Sequence, residues 1–252
     1  MKHNLKYQAA AGRIIRQIFS LLKGKRILAF KNKKQLDRFI ETTITTLGGV
    51  AACKGYHGFP SAACISVNEE LAHAPANDYE FEEGDILTVD IVVGVPDEDG
   101  VLWHADAART YLYAKNPRKY PEEVYLIWAA EHAFKAGVSK VRAGIHTSAI
   151  GSAIENAVAM TGMANVEHYM GHAIGKEIHE SPYIFNYLEY GKQEHQVVLK
   201  EGDIICIEPL LIDSYTSETV IGNDGLTILG TGISSHYENT VLVTKDGFKI
   251  LT

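Results

Sequence analysis

Two stretches of the chain echo each other: EEGDILTVDI at residues 82–91 and KEGDIICIEP at residues 200–209. Each passes from a charged lead-in through Gly-Asp-Ile into an apolar run that carries one carboxylate, Asp90 in the first and Glu208 in the second. The two acids stand 118 residues apart, too far for a solenoid period and a fitting length for one half of a duplicated domain. Side chains alternate faces along a strand, so Asp90 shares a face with Ile86, Thr88 and Val92, and Glu208 with Ile204, Cys206 and Leu210. An ionised carboxylate among such neighbours is costly unless it is paired, protonated or bound to a cation. One isolated acid of this kind reads as a buried ion pair or a cap.

The order of elements repeats along with the echo. Apolar residues at helical spacing predict helices over residues 6–22, with Ile14, Ile15, Ile18, Phe19 and Leu22 on one stripe, and over 33–47, with Leu36, Phe39, Ile40 and Leu47. Strands are expected at 62–67, 85–95 and 101–113, the last two joined as a hairpin by the turn PDEDG. The second half starts again with helices, one from Pro121 to residue 136 and one capped by Thr147 and running to Met160. Strands follow at 203–212 and 226–250. The fold class expected is α+β, a single domain over 1–252 with an internal repeat of 8–115 and 120–250, its antiparallel sheet covered by helices.

A second acid lies on a neighbouring strand of each half: Asp106 in WHADAARTY, and Glu238 in SHYENTVLVT. Four carboxylates converging across a pseudo-twofold axis would repel one another and raise each other's pKa values. Divalent cations remove that conflict, and four acids with one or two histidines suit a pair of ions ~3.5–4 Å apart. The histidines are doubled too. His73 in EELAHAP and His179 in KEIHESP each follow a Glu and an aliphatic residue and precede a proline. His172 lies between Gly171 and Gly175, which let backbone approach a ligand closely. His57 and His104 have no counterpart in the other half and read as supporting or local residues, while His3, His132, His146, His168, His195 and His236 read as surface or packing residues. Cys64 and Cys206 read as small buried side chains.

Composition removes other classes. A net charge of −7 offers no footprint for DNA or an anionic membrane, and no stretch approaches the ~18 apolar residues of a membrane span. Three cysteines at wide spacing argue against a disulfide framework or zinc finger, so a cytoplasmic location is expected. There is neither a Gly-x-Ser-x-Gly elbow nor a phosphate-cradling glycine loop after a strand.

The segments YHGFPSAACISVNEELAH, GDILTVDI, WHADAART, GHAIGKEIHESP, CIEP and YENTVLVT, in that order, resemble the type I methionine aminopeptidases of the pita-bread metallopeptidase fold. The resemblance runs from residue 8 to 246. It implies a single catalytic metallopeptidase domain in which Asp90, Asp106, His172, Glu208 and Glu238 ligate two divalent ions, with Asp106 and Glu238 bridging both. It implies metal-assisted hydrolysis of the first peptide bond, the substrate's free α-amine being held at a metal. Glu208 would shuttle a proton, His179 stabilise the tetrahedral intermediate, and His73 bind the backbone after the cut. Oxygen-rich ligation with one imidazole admits Co, Mn, Fe or Zn. The implied substrate is the N-terminal methionine of peptides and nascent chains with a small second residue. The chain is expected to act as a monomer, any ribosome contact being transient and made by the catalytic domain itself.

Several positions depart from the family pattern: Ala-Pro after His73, HADAA for HGDT, GHAIG for GHGIG, and Asn239 for a histidine. Ile178 and Leu226 stand where the family has aromatic rings around the methionine side chain, which makes methionine preference less secure than hydrolysis. The basic stretch KGKRILAFKNKK at 23–34 reads as a solvated loop. Two alternatives remain. An Xaa-Pro aminopeptidase or dipeptidase of the same fold is echoed by ADAART, although SVNE before His73 and the lack of a separate N-terminal domain point to the methionine branch. A non-catalytic peptide-binding member is disfavoured because such members have lost ligands and all five are present.

Overall fold

A computed structural model describes residues 4–188 and 197–252. In the first half, α1 (Leu5–Leu22) and α2 (Lys33–Thr46) precede β1 (Val50–Ala51), β2 (Cys64–Val67), β3 (Glu70–Ala72), β4 (Ile86–Pro96) and β5 (Leu102–Leu112). The second half repeats this order with α3 (Pro121–Val138) and α4 (Ser148–Ala159), then β6 (Ala164–Asn165), β7 (Gly171–Ala173), β8 (Glu180–Ile184), β9 (Ile204–Ile207), β10 (Leu210–Ile212), β11 (Thr219–Ile221), β12 (Ile228–Gly230), β13 (Ser234–His236), β14 (Asn239–Val243) and β15 (Phe248–Ile250). The helices and antiparallel strands give the expected α+β class. Among the described residues, no helix is long and apolar enough to cross a membrane.

The β4–β5 hairpin organises the first half. Its strands pair along their whole length, while the other edge of β4 pairs with β2 and then β1. Period-two alternation sorts its residues. Leu87, Val89, Ile91 and Val93 of β4, with Ala105 and Ala107 of β5, pack under Ile15, Ile18, Leu22, Leu36 and Ile40 of the two helices. Asp90, Val92 and Asp106 are thereby left on the uncovered face.

The second half does the same with a five-stranded sheet ordered β15–β14–β9–β7–β8. Ile205, Ile207, Val241 and Val243 pack with Leu126, Ala130 and Phe134 of α3 and with Ile150 and Ile154 of α4. Cys206 and Thr240, of opposite parity, look away from those helices. The uncovered faces meet along β5 and β14. Thr240 Oγ1 accepts from the Asp106 amide and donates to the Asp106 carbonyl, both at 2.8 Å, and the Glu238 amide donates to Ala108 O at 3.1 Å. Thr110 Oγ1 similarly brackets the backbone of His236 at 3.0 Å on each side.

Three local expectations are revised. The strand expected over 203–212 is interrupted at Glu208-Pro209 into β9 and β10, since proline offers no amide to the ladder. Thr147 precedes α4 without capping it: its backbone is already helical, and its hydroxyl accepts instead from the Val197 amide at 3.2 Å. The basic stretch 23–34 is solvated at Lys23, Lys25, Arg26, Lys31 and Lys34 but is more than a loop. It forms a 3-10 turn over Gly24–Ala29 whose Ile27 is buried, and it delivers Lys33, wholly buried, to Glu70.

Glu70 is partly solvated and also accepts from the Val67 amide at 2.8 Å, whereas the Lys33 ammonium has Glu70 as its charge partner. Removing one partner of a buried pair leaves the other charge uncompensated. Glu70→Ala is therefore expected to cost ~3–5 kcal/mol in urea unfolding, and Lys33→Met clearly less, because Glu70 retains solvent and an amide donor. Equal losses would contradict this assignment.

Candidate metal centre

Strand register fixes the acids before any side chain is considered. On the first sheet, Asp90 lies opposite Ala108 of β5 and Cys64 of β2, while Asp106 lies opposite Val92. Asp90 and Asp106 are thus diagonal neighbours on one face, within side-chain reach. On the second sheet, Asn239 pairs with Ile207, and one further step in that register sets Glu238 across from Glu208. Ala173 pairs with Ile205, so the step before it places His172 beside Cys206. Gly171 permits this close approach: a Cβ there would lie 2.2 Å from Cys206 O.

Donor atoms of Asp106, His172, Cys206 and Glu238 all lie within 4.8 Å of one another, and all four residues are buried. Glu208 adjoins them, its Oε1 3.5 Å from His172 Nε2. Asp90 completes the group electrostatically. Burial pushes its carboxyl up to about 6. Burial likewise holds Asp106, Glu208 and Glu238 well above the usual carboxylate range, and repulsion from one another and from Asp90 adds to it. Among the described residues, no lysine or arginine is ion-paired with any of the four. Arg109, the nearest guanidinium by sequence, spends its donors on backbone oxygens of Ala108 and Glu238 at 2.8 and 2.5 Å and on Asn239 Oδ1 at 2.6 Å, and sits over the rings of Tyr237 and Phe19.

The donor set fits divalent cations. Asp90 Oδ1, Asp106 Oδ1, Glu208 Oε1 and Glu238 Oε1 are buried without a hydrogen-bond partner, a costly arrangement for a protein that leaves few such atoms. His172 is prepared in the same sense. Its Nδ1 lies 3.1 Å from Ala173 O, and a carbonyl can only accept, so Nδ1 carries the proton and Nε2 is left with its lone pair. Burial, reinforced by His179, pushes the His172 pKa down to about 3, so the ring is neutral.

A cavity of about 460 Å³ adjoins the acids. Asp90, Asp106, His73 and His179 form its polar wall, and Cys53, Phe59, Cys64, Val92, Ile178 and Leu226 its apolar one. His73 holds a left-handed backbone at φ 55, and its ring meets Tyr169 edge-on at 5.9 Å. Such a conformation in a non-glycine residue is retained only where its surroundings enforce it. His179 lies 4.4 Å, ring to ring, from His172, and burial lowers the pKa of both His73 and His179.

The other histidines divide. His57 lines the cavity at φ 45. His104 is buried with Nδ1 3.1 Å from Gly175 O. His132 stacks on the exposed Trp128, and His146 bridges to Val198. His168 sits, exposed, in a turn, whereas His3 and His195 lie outside the described residues. His236, read from sequence as surface or packing, is buried with Nε2 4.0 Å from Glu238 Oε2. Cys206 is small and buried as expected, but it also stands among the acids. Sequence reasoning missed Tyr56 as well, whose hydroxyl meets His179. Alternation could have flagged Cys206, which shares its face with Glu208; nothing in the sequence ties Tyr56 to residue 179.

Comparison with known proteins agrees with this geometry. The chain matches the model of metallopeptidase family M24 over residues 6–245. It is 35% identical over 246 residues to a methionine aminopeptidase of Mycoplasma capricolum subsp. capricolum, covering 96% of this chain and 92% of that protein. Among solved structures, a methionine aminopeptidase from Thermotoga maritima superimposes with a TM-score of 0.87 at 27% identity, covering 98% of this chain and 96% of that one. A prolidase from Pyrococcus furiosus shares the fold at 23% identity and a TM-score of 0.72, 98% of this chain covering only 63% of the longer protein. The two-halved fold, the buried acids and the match along nearly the whole length lead to one conclusion: the chain belongs to metallopeptidase family M24.

Proposed function

We propose that this chain is a metal-dependent aminopeptidase that removes methionine from the N-terminus of peptides and nascent chains. The observation that carries the reading is the group of four carboxylates, each with one buried and unpartnered oxygen, gathered beside a neutral imidazole and an apolar cavity. Asp90, Asp106, His172, Glu208 and Glu238 would hold two divalent ions. When bound, such ions supply Lewis acidity towards the scissile carbonyl and the attacking water. Mn²⁺, Fe²⁺, Co²⁺ and Zn²⁺ all suit oxygen-rich ligation with one imidazole.

The chain's own residues then divide the remaining work. Glu208 accepts a proton from the attacking water and returns it to the amine as the C–N bond breaks. His179 donates a hydrogen bond to the carbonyl oxygen as it gains negative charge. His73, on its constrained backbone, binds the main chain of the residue after the cut. Cys53, Phe59, Cys64, Val92, Ile178 and Leu226 surround the side chain of the departing residue, and their apolar surface accepts an apolar side chain such as that of methionine. Catalysis by a monomer in the cytoplasm, with at most transient ribosome contact, fits the acidic surface balance and the three free, buried cysteines.

Purified protein stripped of metal and reconstituted with Co²⁺, Mn²⁺ or Fe²⁺ is expected to release free methionine from Met-Ala-Ser. Cleavage confined to Xaa-Pro peptides would transfer the assignment to the proline-directed branch, and no hydrolysis with any of these ions would overturn it. Asp106→Ala is expected to abolish turnover while unfolding remains cooperative; retained turnover would contradict the ligand assignment.

The raised carboxyls also set a pH dependence. Their folded-state pKa values exceed the ordinary ones, to about 6 for Asp90 and in the same direction for the other three, so above ~pH 4 these four groups bind more protons in the folded metal-free protein than in the unfolded chain. Their contribution to stability falls as pH rises through 6, whereas His73, His104, His172, His179 and His236, whose pKa values burial lowers, contribute in the opposite sense until they are neutral in both states above ~pH 7. Thermal scans of metal-free protein should show the midpoint dropping as pH rises above ~7, where the carboxyls act alone. A hundredfold excess of Mn²⁺ over its Kd should restore ~2.7 kcal/mol. An unchanged midpoint with metal would argue against ligation.

A further inference from the structure

Tyr56 reaches the cavity from a loop with little freedom. Its 3-10 turn, Tyr56–Gly58, is entered through Gly55 at φ 88 and continues through His57 at φ 45, both left-handed. Two bonds of 2.8 Å, from the Gly55 amide to Phe59 O and from the Phe59 amide to Tyr56 O, close the loop. His57 backs the tyrosine ring edge-on at 4.3 Å. Held this way, the Tyr56 hydroxyl lies 3.1 Å from His179 Nδ1, with the rings 5.7 Å apart.

A neutral imidazole has one nitrogen that donates and one that accepts, and the partner of the first decides the role of the second. The neighbouring His172 has a carbonyl on Nδ1, which forces the Nδ1–H form. A phenol differs from a carbonyl in that it can donate. Burial, with the charge of Glu177 adding to it, raises the Tyr56 pKa, so the hydroxyl keeps its proton. We propose that Tyr56 is a positioning residue: its hydroxyl donates to His179 Nδ1, fixing His179 as the Nε2–H tautomer and therefore as a hydrogen-bond donor towards the cavity it lines. The two rings 4.4 Å apart are then held in opposite tautomers, one shaped to bind a cation and one to stabilise an oxyanion. This inference rests on the aminopeptidase reading, in which His179 must present a proton rather than a lone pair.

The test uses protein labelled with ¹⁵N in its histidine rings, with His179→Gln assigning the signals. In long-range ¹H–¹⁵N correlation of the metal-free parent, His179 should show a protonated Nε2 and an unprotonated Nδ1. Tyr56→Phe should populate the Nδ1–H form while the thermal midpoint stays unchanged. With metal restored, kcat on Met-Ala-Ser should fall ~10- to 100-fold with KM little altered, the pattern of a lost transition-state interaction. A parent spectrum with Nδ1 protonated overturns the proposal, as does a Tyr56→Phe variant with parental kcat. If the phenylalanine variant fails to fold, the parent spectrum alone decides. Should the parent hydrolyse no substrate with any metal, the aminopeptidase reading fails, while the ring-nitrogen spectrum still settles the tautomer.

Discussion

Mutual repulsion among four carboxylates, two buried and two half-buried, is the constraint around which the molecule is arranged. Asp90, Asp106, Glu208 and Glu238 are withdrawn from water and raise one another's pKa values, with no basic side chain ion-paired to them among the described residues. Such a group is unfavourable by itself, and the rest of the fold must hold it in place. The two helix-covered sheets do so by turning their apolar faces outward to their helices and their acid-bearing faces towards a common seam. Alternation along each strand performs that sorting.

The seam depends on a few polar contacts that are fully satisfied. Thr240 brackets the backbone of Asp106, Thr110 brackets that of His236, and Arg109 ties Ala108 to Glu238 and Asn239 while lying between the rings of Phe19 and Tyr237. A cation placed behind the acids, on backbone oxygens, leaves the carboxylates themselves available. The same separation of roles recurs in the histidines. His172 spends one ring nitrogen on a carbonyl, and His179 spends one on a phenol.

Much of this was legible in the sequence because it follows from local rules. The duplicated Gly-Asp-Ile lead-ins and period-two alternation located Asp90 and Glu208, and the helices at both chain halves ended within two residues of their expected limits. The family resemblance added an expected ligand set and expected roles for His73 and His179. What escaped depends on contacts between distant segments. Lys33 looked like part of a solvated basic loop because its partner, Glu70, is 37 residues away. Tyr56 and His179 are 123 residues apart, and no periodicity joins them. His236, read as a surface or packing residue, is indeed packed, but nothing local reveals that β13 brings it beside Glu238. Thr147 had the right residue type for a cap, but Val197 claimed its hydroxyl.

The seam also has a temporal consequence. The threonine that grips Asp106 lies 134 residues downstream of it, and Glu238 stands between β13 and β14, far downstream of the β4–β5 hairpin. Contacts of such long sequence separation close late, after the local helix and hairpin structure of each half. A ribosome-bound chain would therefore carry its first pair of acids without their counterparts while the second half is still being made. Chemical competence would arrive only once the Glu238 segment has joined the seam, which spares the emerging polypeptide a half-built hydrolytic centre.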